Sequence, residues 1–273
     1  MIYKEIPIRE EGSKEYAKLC IYIQDYSEEI PYSDKRKIVL ICPGGAYYKT
    51  SDREAESIAL KILSMGHHAA VLRYSVAPAC YPAALKETAR SVVILRENAR
   101  EWRIDPEKII LMGFSAGGHL AASYGVFWKK EFLWKSLKVD PEILRPNGLI
   151  LGYPVITSKE PYIHKGSFKN LLGEKFLDEE LMGMMSLEDH VSQDTPKCFI
   201  WNTYADPSVS AMNSLLFVQE LYKNHIPVEF HMYEKGGHGL SLANEVTNNT
   251  RGDCIQKECQ NWIQLAETWL KNV

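Results

Sequence analysis

Short apolar runs alternate with amphipathic stretches along the chain. Lys37–Cys42 (KIVLIC) and Ala69–Tyr74 (AAVLRY) read as buried strands, each too short and too evenly apolar for an amphipathic helix. Between them Ser51 and Glu54 have capping-box spacing and Gly66 closes a helical pattern, so this stretch predicts a strand-helix-strand unit. Residues 82–101 carry Ala84, Thr88, Val92, Leu95 and Ala99 on one helical stripe and lead into a further strand, Lys108–Met112. A helix follows from about Ala116. Strands are also expected at Leu149–Tyr153, Cys198–Thr203 and Val228–Tyr233, with helices at 209–223 and 253–271. In the last of these, Ile255, Cys259, Trp262, Ile263, Ala266, Trp269 and Leu270 make one apolar face, the pattern of a helix docked on a core.

Repeated strand and helix alternation predicts an α/β protein: a mostly parallel, doubly wound sheet with right-handed crossovers and helices on both faces. Its ligand site belongs beyond the carboxyl ends of the strands. Neither repeat nor linker divides residues 1–273, so a single domain is expected. Residues 158–194 break the regular alternation, with Phe168, Leu171, Leu172, Phe176, Met182, Met184 and Met185 set among charges and glycines. We expect a small cap inserted over the site there, the alternative being that these residues complete the main core.

Composition narrows the classes of function. Hydrophobic residues at 45% and charged residues at 25% are ordinary for a globular chain, and 32 Lys and Arg against 35 Asp and Glu leave a net charge of −3. No global positive field gathers a polyanion, so nucleic acid is not an expected partner. The segment Trp128–Lys138 (WKKEFLWKSLK) interleaves lysines with aromatics, but reads as a solvated amphipathic face. Cysteines at 20, 42, 80, 198, 254 and 259 are too scattered for a zinc or redox motif and too few for a disulfide scaffold. Free thiols in a reducing, cytoplasmic setting are expected. Met1–Glu11 lacks the pattern of a secretory signal, and no apolar run reaches the ~18 residues of a membrane span, so no membrane partner is expected. Oligomeric state is left open.

Gly113-Phe114-Ser115-Ala116-Gly117 has the pattern of a nucleophile elbow, set between a strand and a helix as that turn requires. A neutral serine hydroxyl needs a base, and the base needs a third group to fix its tautomer. His238 lies in a glycine-flanked loop (KGGHG) after the strand at 228–233, at the carboxyl edge of the sheet. His119 sits inside the helix after the elbow, where it is better suited to support it; His231 falls within a strand, and the adjacent His67 and His68 suit neither base nor metal site. Asp206 follows the strand at 198–203 and is the expected acid; Glu234 is the substitute, and Asp194 lies at the wrong end of that strand. Pro43-Gly44-Gly45-Ala46 follows the first central strand, where the amides of Gly45 and Ala46, with Ala116, are the expected oxyanion donors. The order Ser, Asp, His is that of α/β-hydrolase-fold enzymes.

With these residues in view, the chain resembles the α/β-hydrolase esterases related to the hormone-sensitive-lipase group, and within them the small bacterial acetyl and xylan esterases and sugar-ester hydrolases. CPGGAYYKTSDREAE, SVAPACYPAALKE, GFSAGGHLAA, WNTYADPSV and YEKGGHGLSLA carry the resemblance, over most of the chain. Pro43 and Ala46 stand where the lipase group has the first His and third Gly of HGGG, and Ser75 where Arg is frequent. The resemblance implies Ser115, Asp206 and His238 as triad, no metal or organic cofactor, and a small-molecule ester substrate, short-chain and acetyl, borne on a sugar or xylo-oligosaccharide. Tyr47 and Tyr48, beside the oxyanion loop, are the expected sugar-stacking residues. A prolyl-oligopeptidase-like peptidase and a non-catalytic binding protein of the same fold are the rival readings.

Overall fold

The computed structural model describes residues 1–273, the side chain of Tyr32 aside. Two strands that the sequence reading passed over open the chain, β1 (Ile2–Pro7) and β2 (Lys18–Ile23), paired antiparallel. Then come β3 (Arg36–Cys42), α1 (Glu56–Ser64), β4 (His68–Arg73), α2 (Ala83–Glu97) and β5 (Ile104–Phe114). After the fifth strand follow α3 (Ala116–Phe127), α4 (Glu131–Leu137) and β6 (Gly148–Gly152), then α5 (Lys165–Leu172), α6 (Glu179–Met184) and β7 (Cys198–Thr203). The chain ends with α7 (Met212–Lys223), β8 (Val228–Tyr233) and α8 (Trp262–Lys271). All eight strands join one sheet in the order β1-β2-β4-β3-β5-β6-β7-β8, parallel from β4 to β8. Because the inner segments of β3, β5, β6 and β7 (38–42, 109–112, 149–151 and 198–201) are buried on both faces, their side chains are apolar in either direction, which is why they read as unbroken apolar runs.

One face of the sheet packs under α2, α3 and α7, with Leu40, Leu111, Leu120, Val92 and Phe217 in its core; the other packs under α1 and α8, with Ile41, Met112, Ile58, Trp262 and Ala266. Within 158–194, Phe168, Leu171, Leu172 and Met185 are buried in the first of these cores, while Phe176, Met182 and Met184 pack against it partly exposed. The segment is therefore anchored by the same apolar surface that holds α3. Two expectations are corrected. The C-terminal helix begins at Trp262, not 253: Cys259 is buried from a separate 3-10 turn, Lys257–Cys259, and Ile255 is 37% exposed. The Ser51–Glu54 capping box does not form, since Ser51 makes no side-chain cap and Glu54 turns inward. Among the described residues, no helix is long and apolar enough to cross a membrane.

Candidate active site

β5, in the middle of the sheet, delivers Ser115 to its carboxyl edge. Ser115 has φ 53° and ψ −120°, a backbone conformation that costs a non-glycine residue about 1–3 kcal/mol and persists only where neighbours enforce it. Here Ser115 N–H donates to the Gly152 carbonyl (3.0 Å), and the Ser115 carbonyl accepts from Val155 (3.0 Å) and His119 (3.1 Å). The two flanking glycines are steric requirements. A Cβ at Gly113 would lie 2.1 Å from the Gly117 carbonyl oxygen, and one at Gly117 would lie 2.1 Å from that of Cys42.

Ser115, 8% exposed, meets two residues from other loops. Asp206 Oδ2 is 2.6 Å from His238 Nδ1, and His238 Nε2 is 2.7 Å from Ser115 Oγ. A carboxylate only accepts, so the proton resides on Nδ1, leaving Nε2 to accept from the serine hydroxyl. The other Asp206 oxygen accepts the N–H groups of Ser208 (2.8 Å) and Val209 (3.0 Å), which lock the side chain, itself 1% exposed. His238 is carried by a loop whose Gly236 and Gly239 take φ 130° and 71°; Thr203 Oγ1 donates to the Gly236 carbonyl and Arg53 to that of Gly239. The imidazole is buttressed by the Tyr153 ring in a T-shaped pair, centroids 5.1 Å apart. Asp194 lies before β7 and pairs with Lys129, away from this group.

The loop after β3 turns sharply, with Gly45 at φ 128° and Ala46 and Tyr47 at 54°. Gly44 N–H is taken by Glu54 Oε2 (2.8 Å), whereas the amides of Gly45, Ala46 and Ala116 have no intramolecular acceptor among the described residues. Ala116 opens α3, so its N–H adds to the positive end of that helix. Asn170 of α5 donates to the Ala46 carbonyl (2.8 Å), fixing that peptide plane. The expected sugar-stacking role of Tyr47 is corrected by its burial: it is 2% exposed, its hydroxyl donates to His119 Nδ1 (2.9 Å), and its ring lies against Tyr74. Tyr48 is 71% exposed. Sequence reasoning did not find Glu54, Tyr153, Asn170 or His164. The last of these caps α5, and burial, with the nearby His238 adding to it, holds its imidazole below the usual value.

The His119 side chain is buried, with Tyr47 on one side and the Met185 carbonyl on the other. Its Nε2–H donates to the Met185 carbonyl (3.1 Å) while Nδ1 accepts from Tyr47, so one imidazole ties the loop after β3 to residue 185. Burial pushes its pKa down to about 4. The unfolded chain binds a proton there below about 6.5, the folded chain only near 4, so this group's stabilisation is full above the first value and is lost as pH falls towards the second. We expect the thermal midpoint to fall on acidification from pH 7 to 4.5, and to fall less steeply in His119→Gln. Equal slopes in thermal melts of the two proteins refute this.

A family model, BD-FAE, matches residues 26–221. Endo-1,4-beta-xylanase B of Butyrivibrio fibrisolvens is 37% identical over 219 residues, which cover 77% of this chain and 33% of that protein. Acetylxylan esterase of Xylanibacter ruminicola is 26% identical over 239 residues, 86% of this chain and 47% of that one. The chain thus spans about a third and about half of the length of these curated relatives. The solved acetyl ester-xyloside bifunctional hydrolase of Caldicellulosiruptor lactoaceticus superposes with TM-score 0.83 at 32% identity, covering 98% of this chain and 96% of that one.

Proposed function

The chain belongs to the BD-FAE family and has the α/β-hydrolase fold, and from that premise we propose that it is a serine carboxylic ester hydrolase that removes acetyl groups from sugar or xylo-oligosaccharide esters. The observation that carries this reading is the line from Asp206 through His238 to Ser115, with the amides of Gly45, Ala46 and Ala116 lacking an intramolecular acceptor among the described residues. Ser115 Oγ attacks the ester carbonyl carbon as His238 Nε2 takes its proton, and Asp206 stabilises the imidazolium. The amides of Gly45, Ala46 and Ala116 receive the oxyanion. Collapse breaks the bond to the alcohol oxygen, which takes the proton from His238. Water then adds to the acyl-enzyme, giving a proton to the same nitrogen, and acetic acid leaves as that proton returns to Ser115, ionising to acetate in solvent.

The acetyl and sugar preference draws on the names of the relatives, an acetylxylan esterase and an acetyl ester-xyloside hydrolase. A panel tests it: acetylated xylo-oligosaccharides, 4-nitrophenyl esters from acetate to laurate, and aminoacyl 4-nitroanilides. Acetyl esters are expected to give the highest kcat/KM and the anilides none. Equal or faster turnover of long acyl chains defeats the acetyl assignment, and anilide cleavage favours a peptidase. Absence of turnover, with no labelling by a fluorophosphonate, leaves a binding protein.

A further inference from the structure

Glu54 is buried, 3% exposed, yet both of its oxygens take neutral donors: Gly44 N–H (2.8 Å) on one and the Tyr153 hydroxyl (2.7 Å) on the other. The guanidinium of adjacent Arg53 goes instead to the carbonyls of Thr247 and Gly239. Burying a carboxylate is unfavourable unless its lone pairs are met, so the donors at this one are specific. Each belongs to a different part of the site. Gly44 starts the oxyanion loop and lies between the carboxylate and the serine: a Cβ there would be 2.7 Å from Glu54 Oε2 and 3.0 Å from Ser115 Cβ. Tyr153 presents its ring to His238 and accepts, on the same hydroxyl, the N–H of Ser241 (2.9 Å), which follows the His238 loop. Ser241 Oγ in turn donates to the Arg53 carbonyl (2.6 Å) and closes the circuit.

We propose that Glu54 is a positioning residue that couples the oxyanion loop to the histidine loop, holding the Gly44 peptide and the Tyr153 hydroxyl so that the Gly45 and Ala46 amides and the His238 imidazole converge on Ser115. It rests on the serine-hydrolase reading above. With Gly44 N–H held by Glu54, that amide is removed from the hole, and the next two, which have no intramolecular acceptor among the described residues, are left for the oxyanion. A carboxylate meets both donors at once, one on each oxygen, whereas a glutamine offers a single acceptor oxygen and must turn its NH2 group towards one of them.

The test measures 4-nitrophenyl acetate hydrolysis by the wild type, Glu54→Gln and Tyr153→Phe, normalised to the serines titrated to completion by a fluorophosphonate. Affinity for an acetyl-like trifluoromethyl ketone, which forms an oxyanion on Ser115, is measured in parallel. Each variant is expected to lose about tenfold or more in kcat with KM within about threefold, the pattern of an interaction made in the transition state. Ketone affinity should fall by a similar factor. Normalisation removes loss of folded protein from the comparison, and Tyr153→Phe probes the same coupling without touching the carboxylate. If kcat per titrated serine stays within about twofold in both variants, or falls without a loss of ketone affinity, the positioning role is wrong. If the wild type neither turns over nor is labelled, it is the underlying hydrolase reading that fails.

Discussion

Replacing Ser115 by alanine is expected to lower kcat for acetyl esters by about 10⁴–10⁶-fold and to abolish labelling by a fluorophosphonate. The hydroxyl is the only group in the line from Asp206 through His238 that can form the acyl bond, since the imidazole is held at both nitrogens and the carboxylate is saturated by two backbone amides. What survives the substitution is binding and oxyanion stabilisation, which act on direct attack by water. The fold should tolerate the change: alanine keeps the Cβ at φ 53°, and the backbone bonds of residue 115 to Gly152, Val155 and His119 need no side chain. The thermal midpoint should therefore stay within about 4 °C of the wild type. Steady-state hydrolysis and differential scanning fluorimetry on one preparation decide the matter. A stable alanine variant that keeps more than about one hundredth of the wild-type kcat excludes Ser115 as nucleophile.

The parts of this molecule legible in the sequence are those where local physics leaves little choice. Val39, Leu40 and Ile41 lie in a strand covered on both faces, so their run is apolar without interruption. Gly113 and Gly117 are demanded by contacts of 2.1 Å, and that demand is what makes the elbow stand out. β1 escaped notice because it is an edge strand with most of its residues in solvent, so charge and apolarity mix along it. The 253–271 stretch misled for a different reason. A 3-10 turn at 257–259 buries Cys259 at a position that continues the helical stripe, although no helix runs there. Ser51 and Glu54 have the spacing of a cap, but Glu54 finds a better pair of donors in Gly44 and in Tyr153, 99 positions further on, and nothing local signals that partner. Tyr47 shows the same limit. Its place in the loop after β3 is visible in the sequence, whereas its hydroxyl is held by His119, 72 positions away.

Asp206→Asn should cost about 10⁴-fold in kcat while leaving the protein folded, and the reason lies in how the carboxylate is held. Its Oδ1 accepts two backbone amides, from Ser208 and Val209, and these donors tolerate only an oxygen at that position. In the asparagine variant the side-chain carbonyl must therefore take the place of Oδ1, and the NH2 group is forced onto the position of Oδ2, facing His238 Nδ1. That nitrogen can no longer donate. It has to accept, so the imidazole proton moves to Nε2, the atom that must receive the proton of Ser115, and the base is disabled by its tautomer although every heavy atom stays in place. The positive charge that develops on His238 also loses its counter-charge. Because both backbone bonds survive, the variant should melt close to the wild type, which separates this loss from unfolding. Hydrolysis of 4-nitrophenyl acetate measured from pH 6 to 9 supplies the check. Activity of the variant within about tenfold of the wild type across that range shows that another acid orients the imidazole, and removes Asp206 from the mechanism.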